Sequence, residues 1–542
     1  MSDGTHPGRP GEPRWGTEIE RVSVDGFEYL MYLERPQRLS AVLALAERWG
    51  DRPHIVQGDR VVTFEHLAGA VIARAAELRS HGVERGDRVV ILGFNSPEWI
   101  VDFWAVVGIG AVAVLGNAWW SDIELQEALT RVEPRLVVAH PKVADALPDG
   151  TSRVDWGVIS SGDLTSGADL DILDPGDGEN DPGVIIFTSG TSGTPKAVVL
   201  SHRSLLSGLQ MLLHITGRYP HQVDDDTGEA ALHTGPLFHV GGIQTLLRAV
   251  CVGDTLIMPT GKFDPAEAMG LIEDWQIRRW SAVPTMITRV LEHPDVRSRD
   301  LTSLRALTVG GAPVTPELVH RIRTGLPGVQ PRIATGYGLT ENGGQAVAAS
   351  GRDTEERPGT TGRALPCVEV AIAAPSEFAD GEILLRSPTQ MSGYLGDAVS
   401  PIDDDGWLHT GDLGRLDDDG YLNITGRSKD MIIRGGENIA PAAVEAALNT
   451  LPAVRDAVVF GLPDADLGEQ VAAVVIPAVD DLVPTSLADQ LRGSIASFAI
   501  PGRWFVHEGE FPLNHSGKVD KGAVVALARE NAATQTREAA IR

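Results

Sequence analysis

The stretch Phe187-Thr188-Ser189-Gly190-Thr191-Ser192-Gly193-Thr194-Pro195-Lys196 gathers hydroxyls, glycines and one ammonium into a single short loop. Apolar runs flank it, Val184-Ile185-Ile186 before and Ala197-Val198-Val199-Leu200 after, and the first reads as a buried strand. A loop of this composition exposes backbone N–H groups, side-chain donors and a cation to one small volume, which suits a phosphate. The same composition also serves a flexible connector. The spacing departs from the G-x-x-x-x-G-K-[ST] loop of nucleoside triphosphatases. Pro195 stands where the second glycine belongs, and Ala197 follows the lysine. The loop alone leaves both readings open.

Further short strings carry chemistry-bearing residues. They are Pro236-Leu237-Phe238-His239, Gly336-Tyr337-Gly338-Leu339-Thr340-Glu341, Gly406-Trp407-Leu408-His409-Thr410-Gly411-Asp412 and Gly426-Arg427-Ser428-Lys429-Asp430. Arg434-Gly435-Gly436-Glu437-Asn438 and Asn514-His515-Ser516-Gly517-Lys518 follow. Each has a plain structural reading on its own: a core histidine, a turn glycine, a capping aspartate, a surface lysine.

The elements that must position these strings alternate. Thr63 caps a helical pattern through Leu78, Arg88 to Phe94 reads as a strand, and Asn95-Ser96-Pro97-Glu98 opens a helix with Ser96 as its cap. Gly108-Ile109-Gly110 imitates a dinucleotide fingerprint but ends a helical pattern, so it reads as packing. The alternation continues to about Gly362 and argues for α/β layers. Ile383 to Arg386 and Tyr421 to Thr425 read as strands beside Asp403-Asp404-Asp405 and Asp417-Asp418-Asp419, which read as solvated turns. Beyond the 426–430 junction a small α+β module restarts: a helix from Pro441, strands at Ala457–Phe460 and Val471–Ile476, and a helix over Leu487–Phe498. The expected division is a disordered tail over 1–20, a large domain over 21–428, a small domain over 429–530 and a second tail over 531–542.

With 542 residues the chain exceeds one compact core. Its net charge of −28 repels nucleic acid and anionic membrane, so any phosphate site must be locally positive. Two cysteines, Cys251 and Cys367, provide no disulfide framework and fit a reducing cytoplasm. The apolar run Val106 to Leu115 is shorter than the ~20 residues of a bilayer span. The first residues lack a signal-peptide core, and Ala540-Ile541-Arg542 is not a peroxisomal address. A homodimer is compatible with all of this.

Together and in this order, the strings resemble the adenylate-forming superfamily of acyl- and aryl-CoA synthetases, luciferases and peptide-synthetase adenylation domains, over about residues 25 to 525. The resemblance implies a large N-terminal domain of packed sheets and helices with a small mobile C-terminal domain. It implies ATP, Mg²⁺ and coenzyme A as cofactors and a carboxylic acid as substrate. Thr188, Ser189, Gly190, Thr191, Ser192, Gly193 and Lys196 would surround the phosphates. Glu341 would bind Mg²⁺ and Thr340 the α-phosphate. Tyr337, between Gly336 and Gly338, would lie against adenine, near Gly311 and Ala312. Asp412 would take the ribose hydroxyls, with Arg427 beside it. Lys518 would bridge the acid's carboxylate and the α-phosphate; its string is less Thr-rich than the family's usual form. Lys429 would be a hinge that exchanges Lys518 for Gly435, Gly436 and Glu437 when the thiol attacks, and His239 would swing to open the thiol tunnel.

Val240, Gly241, Gly242, Gln244, Thr285, Gly310, Gly311, Ala312, Gly343, Gly344 and Gln345 are the candidates to line the acid's pocket. They are small or neutral, and no aspartate follows His239 to hold an amino group. A fatty acid or a bulky alicyclic or steroid-like acid is expected, unless some of these glycines serve only turns. The expected activity is an ATP-dependent acid:CoA ligase. Loading of a carrier protein, and a non-catalytic nucleotide- or acyl-binding role, are the alternatives. The absence of an insertion over Arg427 to Glu445 favours CoA.

Overall fold

The computed structural model describes residues 14–156, 178–188, 195–224, 228–312, 314–329, 332–373, 380–397, 399–435, 437–464, 466–479, 482–514 and 517–530. Two large sheets organise the N-terminal part. In the seven-stranded sheet, Pro182–Thr188, Val112–Asn117, Arg88–Gly93, Leu136–Ala139 and Arg153–Asp155 run parallel. Lys196–Ser201 and Gly393–Tyr394 add antiparallel strands at one edge. The nine-stranded sheet has a parallel centre of Ile333–Leu339, Ala306–Val309, Arg279–Ala282, Ala230–His233, Thr255–Met258 and Pro53–Gln57.

Side-chain alternation along these strands builds the layers. Val89 and Ile91 face one core, while Val90 and Leu92 face another on the opposite side of the same sheet. The first core is shared with the nine-stranded sheet through Ile55, Leu256 and Met258; the far face of that sheet packs Trp280, Leu307 and Ile333. Helix Pro97–Gly108 lies in the shared core and is buried at nearly every position, which explains its largely apolar composition; the buried Asp102 is paired with Arg74 at 2.6 Å. Its start is as expected: Ser96 accepts from Trp99 N–H at 3.2 Å and Pro97 occupies the first turn. Thr63 likewise caps helix Phe64–Ser80.

A four-stranded sheet carries Leu408–Leu416 and Leu422–Arg427 to the site. Beyond it, strands Ile432–Arg434, Glu437–Ile439, Val454–Asp464, Gly468–Pro477 and Arg503–Val506 form a separate sheet. Its two faces have their own cores, Val459, Ala473 and Val475 on one and Phe460, Val474 and Phe511 on the other. Among the described residues no helix is long and apolar enough to cross a membrane.

Three expectations change. Trp15 is buried against Tyr219 and a strand starts at Ile19, so ordered chain begins inside the stretch 1–20; residues 1–13 and 531–542 lie outside the described residues. The helix expected over Leu487–Phe498 is Pro484–Leu491. It stops because Arg492 is extended and Gly493 takes a φ of +85°. The acidic turn at Asp417 is more than a solvated one, since Asp417 pairs with Arg357 at 2.6 Å and Asp419 pairs with the same guanidinium.

Candidate active site

Parallel sheets collect ligands at the carboxyl ends of their strands. Several chemistry-bearing residues of the large domain lie at such ends. Thr188 closes Pro182–Thr188, His239 follows Ala230–His233, Gly311 and Ala312 follow Ala306–Val309, and Thr340 and Glu341 follow Ile333–Leu339. Thr188 and Lys196 face each other across the mouth of an antiparallel hairpin. Ser189, Gly190, Thr191, Ser192 and Gly193, the tip of that hairpin, lie outside the described residues, as does Gly436.

One cluster centres on Asp412, a carboxylate only 4% exposed. Tyr337 donates its hydroxyl to Asp412 Oδ2 at 2.7 Å, and Arg427 Nε stands 2.8 Å from Oδ1. Asp412 and Arg427 are register partners on adjacent strands, so the pairing is built into the sheet. Burial, then the neighbouring carboxylate, pushes the Tyr337 phenol well up, so it stays a hydrogen-bond donor. Gly336 and Gly338 have a backbone reason. A Cβ at Gly338 would stand 2.1 Å from the Gly344 carbonyl, and one at Gly336 would stand 2.6 Å from that of Val347. The missing side chains let the strand Ile333–Leu339 pack tightly on its neighbour.

A second cluster joins the hairpin to Glu341. Tyr394 donates its hydroxyl to Glu341 Oε1 at 3.0 Å, and Lys196 Nζ lies 4.5 Å from the centre of the Tyr394 ring. Met391 N–H donates to the Glu341 carbonyl at 2.9 Å. Burial, then Glu341, raises the Tyr394 phenol far above its usual range. Tyr394 was missed by the sequence reading; its only local signal is the short Gly393-Tyr394 string between two polar stretches.

Lys518 comes from the small domain and reaches the large one. A Cβ at Gly311 would stand 3.2 Å from its Cε, and Gly311 has a φ of +80°, a backbone conformation that disfavours any side chain. Burial, then the Arg427 guanidinium, lowers the Lys518 pKa. Burial, then the Lys518 ammonium, pushes His239 down to about 4, so its imidazole is neutral at physiological pH. His239 precedes helix Val240–Val252, and its ring centre lies 4.6 Å from that of Phe238. Phe238 meets Trp119 at 5.7 Å, and Trp119 meets Phe94 at 5.4 Å. Asn95 pins the approach to this histidine, donating to the Gly235 carbonyl at 2.7 Å and accepting from Leu237 N–H at 2.8 Å. Trp120 packs edge-on against Phe187 at 4.8 Å. The unusual Trp119-Trp120 pair thus backs both the histidine segment and the strand entering the phosphate-type loop.

The remaining candidates separate. Lys429 is exposed in a short turn at Ser428–Asp430. Gly435 and Glu437 are exposed on the small domain's Ile432–Arg434 and Glu437–Ile439 hairpin. Among the pocket candidates, Gly242 and Gly343 are forced by backbone: a Cβ would stand 2.5 Å from the Pro236 carbonyl oxygen and 2.4 Å from that of Thr389. At Gly241 and Gly310 a Cβ would meet nothing within 4 Å among the described residues. Gln244 has its amide tied to the Leu205 carbonyl at 3.0 Å. Thr285 turns to the Gly517 carbonyl of the small domain, to which it donates.

Comparison with known proteins follows the same division. The chain matches the family model of the AMP-binding enzyme over residues 43–395 and that of the AMP-binding enzyme C-terminal domain over residues 443–518. It is 34% identical to a feruloyl-CoA synthase of Amycolatopsis, over 87% of this chain and 96% of the relative. It is 33% identical to a 3-[(3aS,4S,7aS)-7a-methyl-1,5-dioxo-octahydro-1H-inden-4-yl]propanoyl:CoA ligase of Rhodococcus jostii, over 90% and 97%. Among solved structures it superposes on o-succinylbenzoate coenzyme A synthetase of Bacillus subtilis in complex with ATP and magnesium ion. That match has a TM-score of 0.75 and 26% identity, over 89% of this chain and 98% of the other.

Proposed function

The chain belongs to the AMP-binding, adenylate-forming enzymes, in their acyl-CoA synthetase branch, and from that premise we propose how its residues divide the reaction and which acid it takes. It is an AMP-forming acid:CoA ligase. A carboxylate is a poor acyl donor because its leaving group would be oxide. Attack of the carboxylate oxygen on the α-phosphorus of ATP breaks the bond to pyrophosphate and leaves an acyl-adenylate. A thiol then attacks the acyl carbon and expels AMP. Positioning and charge neutralisation are what such chemistry asks of a protein.

Lys518 carries that role in this reading. The observation behind it is the placement of a small-domain ammonium at the strand ends of the large domain, beside Gly311 and within electrostatic reach of Arg427 and His239. There it would meet the charge that develops between carboxylate and α-phosphate. Thr340 would donate to the α-phosphate. The Thr188–Lys196 hairpin would hold the leaving pyrophosphate. Asp412 has one protein donor on each oxygen, and a carboxylate accepts about four, so it keeps capacity for both ribose hydroxyls.

The donor set also fits Mg²⁺. Tyr394 occupies one Glu341 oxygen and leaves the other as a hard anionic ligand beside the phosphate hairpin. Bound there, the ion would neutralise charge on phosphate oxygens. For the thiol step, rotation about Lys429 would withdraw Lys518 and bring the Gly435-Gly436-Glu437 hairpin to the site, and neutral His239 would move aside for the pantetheine arm.

The acid in this reading is bulky and ring-bearing. The free space at Gly241 and Gly310, and the aromatic series Phe94, Trp119, Phe238 beside His239, support it. So do relatives named for feruloyl and bicyclic propanoyl substrates. Incubation with ATP, Mg²⁺, CoA and a panel of aryl, bicyclic and long-chain fatty acids tests the proposal. Ring-bearing acids should give the higher kcat/KM for acyl-CoA formation. Preference for a straight fatty chain would overturn the assignment of the acid.

A further inference from the structure

Lys518 belongs to a domain whose cores contain only residues from Ile432 onward, so its aim depends on what the large domain offers. The lysine rides a tight loop. Asn514 accepts the Lys518 N–H at 3.1 Å through Oδ1 and donates its own N–H to the Lys518 carbonyl at 2.7 Å. Gly517 takes a φ of +78° to close the turn. These contacts shape the loop but do not point it anywhere.

Contacts with helix Pro284–Glu292 supply the direction. The Thr285 hydroxyl donates to the Gly517 carbonyl, the carbonyl of the peptide unit whose nitrogen belongs to Lys518. One turn further along the same helix, Arg289 Nη2 lies 2.6 Å from Glu510 Oε2. Val283 and Met286 form the floor, each 3.4 Å from where a Gly517 Cβ would be. Gly311, without a side chain, leaves the path of the lysine clear. Thr285 is therefore spent on the small domain rather than left free to face an acid.

We propose that this helix is the seat that aims Lys518, with Thr285 and Arg289 as positioning residues for acyl-adenylate formation. The proposal rests on the reading of Lys518 given above. Neither residue touches the reacting atoms; both act through the loop that carries the lysine. Because the seat holds Lys518 only in the arrangement seen here, its loss should slow adenylation and spare the thiol step.

The test separates the two half-reactions and adds a readout independent of turnover. Thr285→Val should lower kcat for acid-dependent pyrophosphate release about tenfold, the loss of one hydrogen bond. Arg289→Glu should lower it up to about fivefold, as for an exposed ion pair, and the swap Arg289→Glu with Glu510→Arg should restore it. Thioester formation from preformed acyl-adenylate and CoA should keep its wild-type rate in each variant. Acetylation of Lys518 by a small anhydride, followed by mass spectrometry on the protein without ATP or acid, should rise in both single variants and fall back in the swap. Equal loss in both half-reactions, unchanged Lys518 labelling, or a swap that restores nothing would overturn the seat. A wild-type protein that turns over no acid would overturn the ligase reading instead, while the labelling still decides the seat.

Discussion

Gly241 and Gly242 are adjacent, chemically identical and placed in opposite surroundings, so one methyl group can report on the local structure. Both lie in the first turn of helix Val240–Val252. A Cβ at Gly242 would stand 2.5 Å from the Pro236 oxygen, 2.7 Å from the Leu237 Cα and 3.0 Å from the Leu237 oxygen, all backbone. Overpacking of that kind costs roughly 1–3 kcal/mol, and rigid partners place it at the upper end. Replacing glycine by alanine in a helix returns roughly 0.5–1 kcal/mol. Gly242→Ala should therefore destabilise the large domain by about 2 kcal/mol. Gly241→Ala meets nothing within 4 Å among the described residues and should stabilise by up to about 1 kcal/mol. Urea unfolding followed by tryptophan fluorescence would measure the difference, about 3 kcal/mol by this reckoning. The reasoning fails if the two variants unfold together or if Gly241→Ala is the weaker. A further change, Gly241→Phe, should leave stability near that of Gly241→Ala while cutting kcat/KM for ring-bearing acids more than for acetate.

Three other outcomes follow from the same geometry. Asp412→Asn should raise the KM for ATP and loosen Tyr337 and Arg427, since one buried carboxylate holds both; an unchanged KM would remove Asp412 from the nucleotide site. Gly311→Ala should slow pyrophosphate release, because the new methyl would crowd the Lys518 Cε at 3.2 Å and a residue at φ +80° costs roughly 1–3 kcal/mol. His54, His202 and His233 are buried, and desolvation lowers each to about 4. Between pH 6.5 and 4 the unfolded chain binds protons at these histidines that the folded chain refuses, so their contribution to stability should fall as pH drops through that window. His202→Gln should flatten the urea-midpoint profile there.

The layered fold was readable because strands such as Arg88–Gly93 are buried on both faces and helix starts such as Ser96-Pro97-Glu98 are local signals. That Tyr337, Thr340 and Glu341 come together at one strand end was readable because they sit in one dense string. Tyr394 was not, since its meaning lies in contacts with Glu341, 53 residues away, and with Lys196 on another strand. Asn95 looked like part of a helix start, and only the fold shows its amide clamping the segment before His239. Thr285 was read as pocket lining from its small, neutral side chain; which domain it faces depends on how the small domain packs. Glycine-rich stretches hid two functions under one letter, free volume at Gly241 and Gly310 and backbone contact at Gly242 and Gly343.

The assignment of Lys518 is the centre of the account, and the most direct measurement compares the wild type with Lys518→Ala in separate half-reactions. With ATP, Mg²⁺ and a substrate acid, the wild type should release pyrophosphate and, on adding CoA, one AMP per acyl-CoA. Lys518→Ala should lose pyrophosphate release by at least a hundredfold, the scale of a lost transition-state charge contact, yet convert preformed acyl-adenylate to thioester at the wild-type rate. Undiminished pyrophosphate release, or equal loss in both steps, would contradict the account.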